Sequence, residues 1–143
     1  MESLKQLKVI YYSIISAFVV FSLIVILLKK QLGFQDIAGA TSVITFITPL
    51  IMIVSILVAY GLYDYKARKA KKTDDNKIKE KLFVEATIIK LAFIEFAGLL
   101  SAFALLVYWR PDYLYILGIV LVFFLLAYPT QLRYDRDFAP TLE

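Results

Sequence analysis

The chain holds 143 residues, 61% hydrophobic and 15% aromatic, with a mean hydropathy of +0.75 and a formal charge of +4. Soluble domains run nearer ~45–50% apolar, so the composition argues for a membrane protein, a single domain with no separate soluble part. Cysteine and histidine are absent, which removes disulfides, thiol chemistry and the usual ligands of zinc, copper and haem, so that no cofactor and no metal are expected.

Met1 to Lys8 is short and mixed, an interfacial turn leading into a first span at about 9–28. The apolar run is too long for a signal peptide and no small-residue cleavage site follows, so an uncleaved helix is expected. Lys29 to Ile37 is a polar connection with Gly33 and Asp36. A second span follows at about 38–63, where Ala38, Thr41, Thr45, Thr48, Met52, Ser55 and Ala59 recur at alternating intervals of three and four. That spacing predicts one helix face of small and hydroxyl residues, suited to close packing and interhelical hydrogen bonds. Pro49 lies inside this span and removes one backbone bond.

Residues 64–81 carry Lys66, Arg68, Lys69, Lys71, Lys72, Lys77, Lys79 and Lys81 around Asp74 and Asp75. Helical extensions of both flanking spans, with a turn near Thr73 to Asn76, fit this segment. By the positive-inside rule the eight bases place it in the cytoplasm, as topology determinant and possible contact for anionic lipid head groups rather than for nucleic acid. Both termini then also lie inside, with Lys5, Lys8, Arg133 and Arg136.

The third span, about 82–108, is the centre of the sequence, because it carries Glu85, Lys90 and Glu95 within an apolar run. An ionisable residue inside a span is by default a functional-site hypothesis. At ~100° per residue, Ile89, Phe93, Phe96, Leu100 and Phe103 form one arc of large side chains, predicted to face lipid. Thr87, Lys90, Glu95, Ala97, Gly98, Ser101 and Ala102 fill much of the remainder, predicted to face other helices. Lys90 and Glu95 are five residues apart and ~140° around the helix, so they are not a helical neighbour pair. Lys90 is expected to snorkel toward the helix start rather than act as counter-ion to Glu95. For Glu95, the sharp reading is a proton or cation site at mid-membrane. The preferred one is a protonated carboxyl bonded to Thr45, Thr48 or a serine of the first helix, with Ser101 in the same polar group.

Val107 to Asp112 predicts a tight outer turn with Tyr108, Trp109, Tyr113 and Tyr115 as an interfacial aromatic cluster and Pro111 opening the last helix. The fourth span, about 112–128, is apolar nearly all round. Pro129 ends it, and 129–143 is a charged tail. No phosphate loop, nucleophile elbow or catalytic cluster is found, so no catalytic residue is assigned and the expected role is non-enzymatic.

At Ile89-Lys90-Leu91-Ala92-Phe93-Ile94-Glu95, at Tyr128-Pro129-Thr130 and at Asp137-Phe138, the chain resembles an uncharacterised family of small four-span bacterial inner-membrane proteins. The matching positions are Lys90, Glu95, Pro129, Thr130, Asp137 and Phe138. The family usually has glycine directly after the glutamate, whereas this chain has Phe96 there and its glycine at Gly98. The resemblance implies a bacterial inner membrane and carries no activity with it.

The expected fold is therefore an all-α, antiparallel four-helix membrane bundle with both termini in the cytoplasm. The role ranked first is an accessory or assembly subunit packed against a membrane-protein partner or its own copies. The alternative is a small oligomeric proton or cation transporter using Glu95.

Overall fold

A computed structural model describes residues 2–32, 41–108 and 112–139, the side chains of 32 and 41–45 excepted. Five helices form among them: α1 (Glu2–Leu32), α2 (Thr41–Ala70), α3 (Asn76–Tyr108), α4 (Asp112–Leu126) and α5 (Gln131–Asp137). The first three are long and apolar enough to cross a bilayer. At 1.5 Å per residue α4 is only about 22 Å long, short of the ~30 Å hydrocarbon core. It counts toward a fourth crossing only together with α5, which is bent 77° away from it. The expected polar connection at 29–37 begins later, since α1 continues through Leu32, and the rest of it, Trp109 and the Pro111 opening lie outside the described residues. Of the other tyrosines in the predicted interfacial cluster, Tyr115 is exposed and Tyr108 partly buried, whereas Tyr113 is buried in the core.

Helix α3 is the hub, packed against α1, α2 and α4. The reason is in its side chains. Lys90 and Ser101 are buried against α2, and Leu91, Ile94, Ala102, Ala104 and Leu105 in a core shared with α1 and α4, where Gly98 also lies. Phe96 and Phe103 of the bulky arc are exposed. Small residues let backbones approach where no hydrophobic drive operates between helices in lipid. Gly98 shows how close that approach is: a Cβ there would lie 2.5 Å from Cε2 of Phe18 and 3.1 Å from Cγ1 of Val120. Phe18 in turn packs on Phe124, and the Tyr11 hydroxyl donates to the Phe124 carbonyl at 3.2 Å.

Helix α2 runs unbroken through Pro49. Thr48, Met52, Ser55, Ala59, Tyr63, Ala67 and Ala70 are buried, so from Thr48 onward the predicted stripe is the α3-facing surface and runs on through Ala70, while Ala38 and the side chains of Thr41 and Thr45 lie outside the described residues. Hydrogen bonds set the antiparallel register. Ser55 donates to the Phe93 carbonyl at 3.4 Å, and Lys66 pairs with Glu85 at 2.6 Å. The segment 64–81 is helical through Ala70 and again from Asn76, so its charges sit on two helix ends joined by a short turn. The start of α1 joins this end too, where Ser3 donates to Glu80.

The segment expected as a charged tail is instead α5. Thr130 takes an extended conformation after Pro129 and its hydroxyl accepts from the Arg133 amide at 3.1 Å, the N-cap arrangement that starts a helix. Tyr134 and Phe138, four residues apart, then share one face and are buried. Phe138 meets the rings of Tyr63 and Phe83 at 5.5 and 5.3 Å, and Tyr134 meets Phe83 at 5.3 Å. The tail docks because two aromatic side chains leave water.

Outside these contacts the molecule is greasy. Phe46, Leu50 and Leu57 of α2, Val20 and Leu27 of α1, and Ile119, Val122 and Leu125 of α4 are exposed around the circumference. Scattered exposed apolar residues are ordinary, but a continuous apolar belt on three long helices is a surface built for lipid. The chain is a multi-pass helical membrane protein.

Candidate functional site

The notable chemistry collects at the end of the bundle where α2 ends, α3 begins and α5 docks. Lys90 belongs to the packed arc of α3 and is 3% exposed. Its side chain leans toward the helix start, as helical side chains do, yet it does not end at an open interface. Nζ sits 4.2 Å from the ring centre of Tyr60 and 4.4 Å from that of Tyr63. These two tyrosines flank it because they are three residues apart on α2, one on the buried stripe and one beside it. A desolvated cation over aromatic faces gains about 2 kcal/mol. Even so, an ammonium has three donors and takes no acceptor from a ring face. Among the described residues Lys90 has no hydrogen bond and no ion pair.

Beside it lies a cavity of about 440 Å³. Helix α2 contributes Tyr60, Tyr63, Asp64 and Arg68 to its wall, and the turn after it Lys71. Lys90 comes from α3, Leu126 from α4, and Arg133, Arg136 and Asp137 from α5. Five of these side chains are basic and two acidic, a net charge of +3. One acid is already committed: Asp137 accepts from the Tyr63 hydroxyl at 3.0 Å and from Arg136 Nε at 2.7 Å. The Arg133 guanidinium is steered by the Tyr128 carbonyl, to which Nη1 donates at 3.2 Å. A cavity walled by three arginines and two lysines, with one of its two carboxylates neutralised, has the donor set that binds phosphate or carboxylate.

The residues expected to form one polar site in the membrane are not together. Glu95 lies at the margin of the packed arc, half-buried, between buried Leu91 and Gly98 on one side and exposed Ala92 and Leu99 on the other. Among the described residues it has neither a hydrogen bond nor an ion pair, so neither Lys90 nor Ser101 is its partner. Ser101 is fully buried. Its hydroxyl donates to the Ala97 carbonyl at 2.8 Å and lies 3.3 Å from the Met52 sulfur, which makes it part of the α2–α3 packing. Thr48 is buried in the same stripe, and the side chain of Thr45 lies outside the described residues. Of the eight bases in 64–81, Arg68 and Lys71 reach the cavity, and Lys66 holds Glu85. Lys69, Lys72, Lys77 and Lys81 are exposed, and Lys79 is partly so.

Tyr60 and Tyr63, which face Lys90, and Arg133 and Arg136, which share its cavity, were missed from sequence. A signal existed for three of them. Tyr63 continues the α2 stripe by one four-residue step beyond Ala59. Arg133 and Arg136 flank Tyr134 in a segment whose Thr130 and Phe138 mark a cap and a docking face.

No family model, no curated protein and no solved structure matches the chain. Among the described residues no group of three acidic, histidine or cysteine side chains is placed to hold a metal.

Proposed function

We propose that the chain is a non-enzymatic accessory or assembly subunit of a membrane-protein complex in a bacterial inner membrane. In this reading it crosses the bilayer four times, with both termini and the basic end on the cytoplasmic side. The observation that carries it is α4: apolar nearly all round, with Tyr115, Ile119, Val122, Leu125 and Leu126 exposed, yet too short to match the hydrocarbon core. A short span is accommodated by thinning the bilayer, by snorkelling or by associating with other helices, and a partner helix laid along α4 satisfies both its length and its bare surface. The orientation rests on twelve basic residues at one end, from Lys5, Lys8, the eight of 64–81, Arg133 and Arg136. Transport past Glu95 has less in its favour, since Glu95 sits at the rim of the packed core and apart from the charged cavity.

The test is affinity purification of the tagged protein from native membranes in mild detergent, with mass spectrometry of what is retained. A stoichiometric membrane partner, lost when Val122 and Leu125 of α4 are changed to serine, is the expected result. A protein that runs alone as a monomer overturns the reading. Orientation is tested separately by single cysteines placed at Asp74 and Gly33 of this cysteine-free chain, of which the first is expected to be shielded from an impermeant thiol reagent in intact cells.

A further inference from the structure

We infer that the basic cavity and the groove beside it form a binding site for one anionic glycerophospholipid, its phosphate held by Lys90 with the arginines around it and an acyl chain lying between α2 and α4. Two independent features meet here. The first is the cavity of about 440 Å³ with its net positive wall. Within it Lys90, 3% exposed as a residue, faces two tyrosine rings with its ammonium and has no acceptor among the described residues. A buried cation is stable where an anion or a set of acceptors meets it. The second is a purely apolar groove of about 290 Å³ between α2 and α4, walled by Pro49, Ile53, Ile56, Ile116, Ile119 and Phe123 among others.

The two run end to end along the same pair of helices. On α2 the groove occupies Pro49 to Leu57 and the cavity begins at Tyr60. On α4 the groove occupies Ile116 to Phe123 and the cavity begins at Leu126. The junction is the edge-to-face pair of Tyr60 and Phe123, 6.0 Å apart. From Pro49, where the groove begins, to Tyr60, where the cavity begins, the helix rises about 16 Å, close to half the ~30 Å hydrocarbon thickness and so the depth of one leaflet. A charged pocket at head-group height above an apolar slot of leaflet depth matches a lipid in both polarity and length. A free phosphate would use the first feature and leave the second unexplained. The inference rests on the bilayer reading and not on the accessory role, so a chain found without a protein partner leaves it standing.

The experiment uses the full chain in nanodiscs and in mild detergent, read by native mass spectrometry. The probes are phosphatidylglycerol, zwitterionic phosphatidylcholine and inorganic phosphate. One phosphatidylglycerol is expected to stay bound, at least tenfold tighter than phosphatidylcholine. Lys90→Met is expected to lose at least tenfold, and the exposed Arg68→Gln about fivefold, as one basic residue near a surface contributes. Ile53→Trp, which fills the groove and leaves the cavity alone, is expected to weaken lipid retention as well. Should Lys90→Met fail to fold, Arg68→Gln and Ile53→Trp carry the test between them. Equal retention of the two lipids overturns the inference, as does retention unchanged by Arg68→Gln and Ile53→Trp. Millimolar inorganic phosphate that protects the protein from thermal unfolding while Ile53→Trp changes nothing assigns the cavity to a free anion and also overturns the lipid.

Discussion

Around Gly98 the bundle is dry and tight; around Lys90 it is aromatic, charged and open. In the first region Phe18 and Val120 close on a glycine and Phe124 packs behind Phe18, and the Ser101 hydroxyl turns inward to the Ala97 carbonyl and the Met52 thioether. In the second, rings of Tyr63, Phe83, Tyr134 and Phe138 seal the end of the bundle while Lys90, Arg133 and Arg136 line a cavity against it. Packing alone gives no reason to bury a lysine at that point, since a leucine or methionine of similar volume is cheaper. The contrast teaches where constraint comes from. In the middle of the bundle it is steric, and at the basic end it is chemical.

The largest effect is expected from Phe138→Ala, because truncating a fully buried phenylalanine costs about 3–5 kcal/mol. The loss falls on the docking of α5. Trypsin should then cleave at Arg133 and Arg136 far faster than in the native chain while α1 to α3 stay protected, and unchanged cleavage would show that α5 is not held by this ring. Gly98→Leu comes next. Overpacking a close contact costs about 1–3 kcal/mol, here expected as a lowered midpoint of unfolding in mixed micelles, with Gly98→Ala milder in the same direction. Thr130→Ala removes the cap of α5 and is expected to cost about 1 kcal/mol, visible as a modest gain in trypsin cleavage without global loss. Ser55→Ala removes an interhelical bond worth ~0.6 kcal/mol in membranes. Smallest of all, Glu95→Gln is expected to leave the unfolding midpoint within ~0.5 kcal/mol of the parent, because the carboxyl has no partner among the described residues.

Much of this was readable in the residues. The division of α3 into a bulky arc and a small-residue arc follows from side-chain size at helical spacing, and so does the α2 stripe. Two things were not. The aromatic face of α5 is hidden because Tyr134 and Phe138 stand among Arg133, Asp135, Arg136 and Asp137 in a seven-residue helix, where charge dominates any average. The relative standing of Lys90 and Glu95 is hidden because periodicity places a residue around a helix without saying which neighbours press on it. Five positions separate the two side chains, and that turn decides that the lysine enters the core while the glutamate stays at its rim. Lys90 gained its meaning from Tyr60, Tyr63 and Arg133, which are 30, 27 and 43 residues away in sequence.

The most direct measurement is native mass spectrometry of the native chain, Lys90→Met and Glu95→Gln, prepared identically from native membranes. The site at the basic end predicts that bound anionic lipid is retained by the native chain and by Glu95→Gln and lost from Lys90→Met. Loss from Glu95→Gln with Lys90→Met unchanged would contradict it and return the chemistry to the middle of the membrane.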